Sequence, residues 1–220
     1  MVQDGKAGKT PWYEESGCFP GQKGSHEMAP AVTSSGAVYM TSSQVYPVEE
    51  DTLLLLRAAQ AESRPGDRVL EIGCGSGHIS TELSRTAEVL ATDINPHAVQ
   101  AARELGAEVV RTDLFAGICG PFDLVIFNPP YLPTTPDERI NDWLEYALDG
   151  GPDGRAVIAR FIGGVGQVLA PGGRFLLLVS SLTGIGEVRG MIEEAGFRAE
   201  EVAGTRIEGE DLVVVRGERE

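Results

Sequence analysis

Lysine is nearly absent from this 220-residue chain: Lys6, Lys9 and Lys23 are its only lysines, and every later positive charge is an arginine. Aromatic residues are sparse at 6%, and the formal net charge is -15. Without clustered Lys and Arg, unaided binding along a phosphate backbone is disfavoured, so no direct nucleic-acid contact is expected. An acidic surface of this kind suits solubility or a basic protein partner. Cysteine is scarce and dispersed. Cys18, Cys74 and Cys119 form an odd set with no metal-ligand spacing, which is a poor disulfide framework. His26, His78 and His97 are equally scattered, so no metal site is expected. No apolar run reaches the about 18 residues of a membrane span. Met1-Val2-Gln3-Asp4-Gly5-Lys6 is not an apolar signal segment. The expected location is cytoplasmic, with no membrane contact.

Hydrophobic residues make up 42% of the chain, enough for one sizeable core and a single domain. Residues 1–40 hold all the lysines and are rich in Gly, Ser and Pro without an apolar period. That is the composition of a disordered leader, and Met28 and Met40 are alternative starts that would shorten it. Residues 41–220 are expected to form the folded unit. Glu49-Glu50-Asp51-Thr52 is an acidic first helical turn, continued by Leu53–Leu56, Ala58 and Ala59. Strands are expected over 68–72, 88–92, 108–111, 122–127, 174–180, 198–202 and 212–216. Helices are expected over 78–86, 96–105, 155–169 and 185–195, with Pro171-Gly172-Gly173 stopping the third of these. A polar loop over 132–151, with one helical turn near 141–146, is too long to be a mere connector. Strand and helix alternate throughout, the pattern of a doubly wound α/β sheet with helices on both faces. No segment repeats.

Val69-Leu70-Glu71-Ile72-Gly73-Cys74-Gly75-Ser76-Gly77 reads as a strand, a glycine loop and the start of a helix. Glycines let the backbone pass close beneath a ligand. The loop is G-x-G-x-G, and position 78, where a dinucleotide loop has its third glycine, is His. Glu71, just before the loop, would repel a pyrophosphate and suits an ammonium group. Asp93 ends the next strand, where a carboxylate reads a ribose diol. Ile94 beside it is placed to cover an adenine face. Asp113 and Leu114 follow the third strand, offering an acceptor for an adenine amino group and a backbone N–H for a ring nitrogen. The implied ligand has an adenine, a ribose and an amino-acid tail without phosphate, and S-adenosyl-L-methionine fits. Taken singly, each feature has a plainer reading. The loop is a tight turn, Asp93 a cap for the helix at Pro96, and Cys74 a small filler residue.

Asn128-Pro129-Pro130-Tyr131 directly follows the apolar run Phe122–Phe127. An Asn at the end of a buried strand, stiffened by two prolines, forms a polar tip that can hold a planar amide or amino nitrogen. The Asn128 side-chain oxygen and the Pro129 carbonyl can each accept one N–H of such a group, and Tyr131 can pack against its plane. Trp143 and Tyr146, in the following loop, are read as loop-packing aromatics.

These segments together resemble the class I S-adenosylmethionine-dependent methyltransferases. Within them the chain resembles the HemK-type protein-glutamine methyltransferases, in the archaeal and eukaryotic branch acting on translation release factors. The resemblance is carried by Val45–Thr52, Leu70–Gly77, Thr92–Pro96, Thr112-Asp113-Leu114, Asn128–Tyr131 and Asp149–Arg155, in family order. It implies a Rossmann-like sheet of seven strands in the order 3-2-1-4-5-7-6, with the last strand antiparallel. It implies cofactor contacts at Thr52, Glu71, Gly73, Gly75, Asp93, Ile94, Asp113, Leu114 and Asn128. Asn128, Pro129, Pro130 and Tyr131 would meet the substrate, with Asn128, Pro129 and Tyr131 catalytic. The implied reaction is N5-methylation of a protein glutamine, that of the GGQ motif of a class-1 release factor. A small zinc-binding activator protein is implied on the edge strand near Val109 and Val110. An adenine-N6 methyltransferase acting on DNA or RNA would use the same tip and is the alternative reading. A lysine-directed activity and a non-catalytic cofactor-binding protein are the other rivals.

Overall fold

A computed structural model describes residues 44–134, 142–207 and 209–219. The expected leader over 1–40 lies outside the described residues. The strands are β1 (Arg68–Ile72), β2 (Glu88–Asp93), β3 (Val109–Arg111), β4 (Phe122–Phe127), β5 (Leu169–Ser180), β6 (Phe197–Ile207) and β7 (Glu210–Arg219). They form one seven-stranded sheet in the order β3-β2-β1-β4-β5-β7-β6. Pairings from β3 across to β5 are parallel, and β7 runs antiparallel to both β5 and β6. The helices are α1 (Glu50–Glu62), α2 (His78–Leu83), α3 (Pro96–Glu104), α4 (Trp143–Tyr146), α5 (Ala156–Val165) and α6 (Ile185–Glu194). This is the order implied by the resemblance.

The central strands are covered on both faces, which is why β4 is apolar on both faces from Leu124 to Phe127. Val125 and Phe127 join the core on one side, with Ile158, Phe161 and Ile162 of α5 and Val188 and Ile192 of α6. Leu124 and Ile126 join the core on the other side, with Leu54, Leu55 and Ala59 of α1 and Leu83 of α2. The α5 residues Ile158, Phe161, Ile162 and Val165 recur at helical spacing and are all buried. Over β2 and β3, Val99 and Ala102 of α3 meet Ala91 and Val109.

Where strand and helix ends differ from expectation, a specific contact accounts for it. The third long helix stops at Val165 rather than Leu169. Gln167 N–H bonds back to Gly164 O and Val168 N–H to Val165 O, turning the chain so that Val168 O accepts from Phe122 N at 2.8 Å. Leu169 then begins β5, and Pro171-Gly172-Gly173 lies within that strand as an irregularity, with Phe122 opposite Leu169 but Leu124 opposite Arg174. β6 and β7 outrun the expected 198–202 and 212–216 because they pair along a hairpin from Phe197↔Arg219 to Ile207↔Glu210. Their charged outer positions hide that length from an apolar count. On β3, Val109 is buried, while Val110 is 38% exposed, so only one of the two valines faces away from the core.

A buried ion cluster closes the end of the sheet where β1 and β4 begin. Arg174, 2% exposed, donates to Asp67 Oδ2 at 2.8 Å, to Asp123 O at 3.2 Å and to Glu62 O. Glu62 also receives Arg216 at 2.9 Å, so the C-terminal end of α1 is tied to β5 and β7. Removing the cation would leave buried carboxylates uncompensated. Arg174→Ala is therefore expected to lower unfolding stability in urea by about 3 kcal/mol. An unchanged denaturation midpoint would contradict this role.

Candidate active site

The C-terminal ends of the parallel strands open into one cleft of about 570 Å³. Every expected site residue lines it. Glu71, Gly73 and Gly75 come from the end of β1 and its loop, Asp93 and Ile94 from β2, and Asp113 and Leu114 from β3. Asn128, Pro129, Pro130 and Tyr131 come from β4, and Thr52 from the first turn of α1. A cleft at the carboxyl ends of the strands, beside the point where strand order reverses, is the usual ligand position in such sheets.

The floor of the cleft is acidic. Glu71 is 4% exposed and Asp93 8%, and neither forms an ion pair among the described residues. Burial pushes the Glu71 carboxyl up to about 8, against the Ser80 hydroxyl that donates to it. Burial likewise raises Asp93, although Asn95 N–H at 2.8 Å and Gly75 N–H at 2.9 Å favour its charged form. Two desolvated carboxylates without a cation fit a ligand that brings an ammonium group and hydroxyls, and disfavour a phosphate. S-adenosyl-L-methionine meets that requirement. Asp93 does not cap the following helix: the Asn95 side chain accepts from His97 N–H at 2.9 Å and fills that position. The Cys74 thiol is raised by burial and by the Glu71 and Asp93 charges, as suits a packing residue.

The glycines of the loop serve different ends. Gly73 sits at φ +63°, and a side chain there would press on the Phe127 ring at 3.2 Å. Gly75, at φ +54°, meets only Tyr46 O at 4.0 Å, so its open side belongs to the cleft. Gly77 is required by packing instead, since a Cβ would sit 2.7 Å from Ala102 Cβ of α3. Leu114 holds φ +49°, the one positive φ among non-glycine residues described. An αL leucine costs about 1 kcal/mol and marks a backbone held in place by its surroundings.

At the tip, the Asn128 side-chain nitrogen donates to Asp51 Oδ2 at 3.0 Å. Its oxygen, Oδ1, is buried without a hydrogen-bond partner. An unpaired acceptor beside the cleft is what a substrate N–H needs. Burial, with the Glu210 and Asp51 charges, raises the Tyr131 hydroxyl to about 12, so it stays neutral. Behind the tip, the segment 149–155 packs against it. Gly150 N–H bonds Leu132 O at 2.9 Å, and a Cβ on Gly154 would collide with the Tyr131 carbonyl. Of the long loop over 132–151, residues 132–134 and 142–151 are described and 135–141 lie outside the described residues. Trp143 and Tyr146 pack on each other at 5.2 Å, as expected of loop aromatics, and also line the cleft.

Three participants carry no residue signal of their own. Asp51 looks like an acidic helix start, yet it is 4% exposed and bonded to Asn128. Ser80, one turn into α2, meets Glu71. Arg160 of α5 pairs with Asp113 at 2.7 Å at the rim. Only the apolar spacing that buries one face of α5 could have placed Arg160 near the cleft.

Known proteins resemble this arrangement. The family described as "Methyltransferase small domain" matches residues 39–140. A putative protein N5-glutamine methyltransferase of Methanocaldococcus jannaschii is 39% identical over 184 residues, 80% of this chain and 92% of that protein. Human methyltransferase HEMK2 is 34% identical over 191 residues, 79% of this chain and 89% of its own length. The E. cuniculi Mtq2–Trm112 complex, described as responsible for methylation of the eRF1 translation termination factor, superimposes with a TM-score of 0.68. Its sequence identity is 32%, over 80% of this chain and 99% of that one.

The raised Glu71 carboxyl makes stability depend on pH. The folded ligand-free protein keeps the proton up to about pH 8, whereas the unfolded chain loses it near 4.5. Glu71's stabilising contribution is therefore complete below 4.5 and lost as pH rises through about 8. Glu71→Gln cannot ionise. Its thermal midpoint is expected to match the parent near about pH 4 and to exceed it increasingly towards about pH 9. Parallel curves would contradict the assignment.

Proposed function

Because the chain belongs to the HemK-type protein-glutamine methyltransferases, we propose that it methylates N5 of a glutamine side chain in a class-1 translation release factor, at the GGQ motif. The observation that carries this reading is the buried, unpartnered Asn128 Oδ1 at the mouth of an acidic cleft. The release factor follows from the Mtq2–Trm112 similarity, since that complex methylates eRF1.

Bound S-adenosyl-L-methionine supplies an electrophilic methyl group. Glu71 would face its ammonium, and Gly73 and Gly75 would let the backbone run beneath its methionine end. Asp93 would accept from the ribose hydroxyls. Ile94 would cover the adenine face, Asp113 would accept from its amino group and the Leu114 backbone N–H would donate to a ring nitrogen, with Thr52 closing from α1. On the substrate side, Asn128 Oδ1 accepts one N–H of the glutamine amide and Pro129 C=O the other. An amide nitrogen is a poor nucleophile because its lone pair is delocalised into the carbonyl. Two acceptors fix its rotation and favour the positive charge that develops on nitrogen. Holding the nitrogen about 3–3.5 Å from the methyl carbon supplies much of the rate. Pro130 stiffens the tip, and Tyr131 packs on the amide plane. No side chain need act as an early base, because the nitrogen becomes acidic only after transfer.

A small zinc-binding activator would cover β3. In support, β3 is a three-residue strand at the sheet edge, with Val110 at 38% and the nearby Leu105 at 53% exposure. Mtq2 was solved with Trm112. Among the described residues, no helix is long and apolar enough to cross a membrane, and the proposed site of action is the cytoplasm with the translation machinery.

Asn128→Ala is expected to lower kcat/KM for release-factor methylation by about 10²-fold or more while the variant remains folded at the assay temperature. Methylation undiminished in that variant would refute the mechanism. Label from the methyl donor in nucleic acid alone would refute the substrate class. In a second test, Val110→Asp is expected to weaken co-purification with the activator at least about tenfold. Undiminished capture would move the partner off this edge.

A further inference from the structure

The Asn128 amide can point either way round, and only one way is productive. With its oxygen towards the substrate it accepts an N–H. Turned over, it would present its own NH2 to the substrate NH2, donor against donor. We propose that Asp51 is a positioning residue that locks this amide in the productive orientation. The proposal rests on the glutamine reading above.

Asp51 sits in the first turn of α1, 4% exposed. Every partner of its carboxylate is a donor. Oδ1 accepts from Thr52 N–H at 2.5 Å and Thr52 Oγ1 at 3.2 Å. Oδ2 accepts from the Tyr46 hydroxyl at 3.3 Å and from Asn128 Nδ2 at 3.0 Å. An ionised carboxylate has no hydrogen to give. If the Asn128 amide turned over, its oxygen would lie against a carboxylate oxygen with no proton between them. The NH2 must therefore face Asp51, which leaves Oδ1, buried without a partner on a residue that lines the cleft, as the free acceptor. The buried charge behind the amide also polarises it, which strengthens Oδ1 as an acceptor. Tyr46 holds the same carboxylate oxygen from the segment that precedes α1, so the locking group is itself held in place.

This arrangement makes a reciprocal test possible. In Asp51→Asn, Thr52 N–H still needs an acceptor, so the new amide keeps its oxygen there and turns its NH2 to Asn128. Asn128 must then turn its own oxygen inward and its NH2 to the substrate. Methyl transfer to release factor by the enzyme–activator complex is expected to fall about 10²-fold in kcat, with the dissociation constant for S-adenosyl-L-methionine and the thermal midpoint nearly unchanged. Asn128→Asp alone is expected to be as poor, because it sets two carboxylates in contact. The double variant Asp51→Asn/Asn128→Asp conserves net charge and again presents an acceptor to the substrate, so it is expected to exceed either single variant in kcat at least about tenfold, a positive coupling between the two sites. A double variant no better than the singles, or Asp51→Asn with parental kcat, would overturn the proposal.

The orientation can also be read without any substrate. The Asn128 side-chain NH2 signals, assigned by their absence in Asn128→Asp, should exchange slowly with solvent in the parent and fast in Asp51→Asn. Equal exchange in both overturns the proposal whatever the acceptor is. An inert parent enzyme with that exchange difference intact would instead indict the glutamine reading and leave the locking role standing.

Discussion

Three carboxylates, Asp51, Glu71 and Asp93, are buried at one end of the sheet, and none is matched to a cation among the described residues. Taking such charge out of water is costly unless hydrogen bonds or a ligand compensate it. Here the compensation is partial and ordered. Asp51 is surrounded by donors, including the Asn128 amide. Asp93 holds two backbone N–H groups. Glu71 accepts from the Ser80 hydroxyl and backbone N–H, but burial outweighs both and raises it towards neutrality. On the proposed reading, this floor would meet an ammonium and hydroxyls, and the tip a neutral planar NH2.

The fold keeps these groups apart yet converging. Parallel strands deliver Glu71, Asp93 and Asn128 from successive strand ends, so their spacing follows the sheet and not a flexible loop. At the opposite end, Arg174 ties α1 to the strands through Glu62 and Asp67. That clamp fixes the helix whose first turn carries Asp51. Behind the tip, a Cβ on Gly154 would collide with the Tyr131 carbonyl, and one on Gly150 would collide with Gly154 itself. Pro129 and Pro130 fix two successive φ angles at the tip.

Much of this was legible in the residues. β1 and β4 lie where short, mainly apolar runs bounded by loop signals place them, and the strand-end acids all line one cleft. Other features depended on distance in space. Val165, Val168 and Leu169 continue a helical apolar pattern, yet the bond from Phe122 to Val168 draws the chain into the sheet. The β6–β7 hairpin extends through charged edge positions that carry no apolar signal. Gly77 reads as part of a ligand loop but is required by Ala102. Asp51 reads as a favourable charge at a helix start, and only its contact with a residue 77 positions later reveals its place in the site.

The central claim is that this tip, in this acidic cleft, presents a protein glutamine to the methyl donor. Mass mapping of a class-1 release factor, after incubation with the enzyme–activator complex and S-adenosyl-L-methionine, tests it most directly. The account predicts a single added methyl on the side-chain nitrogen of the GGQ glutamine. A methyl on a lysine, or an unmodified release factor beside a methylated adenine, would contradict it.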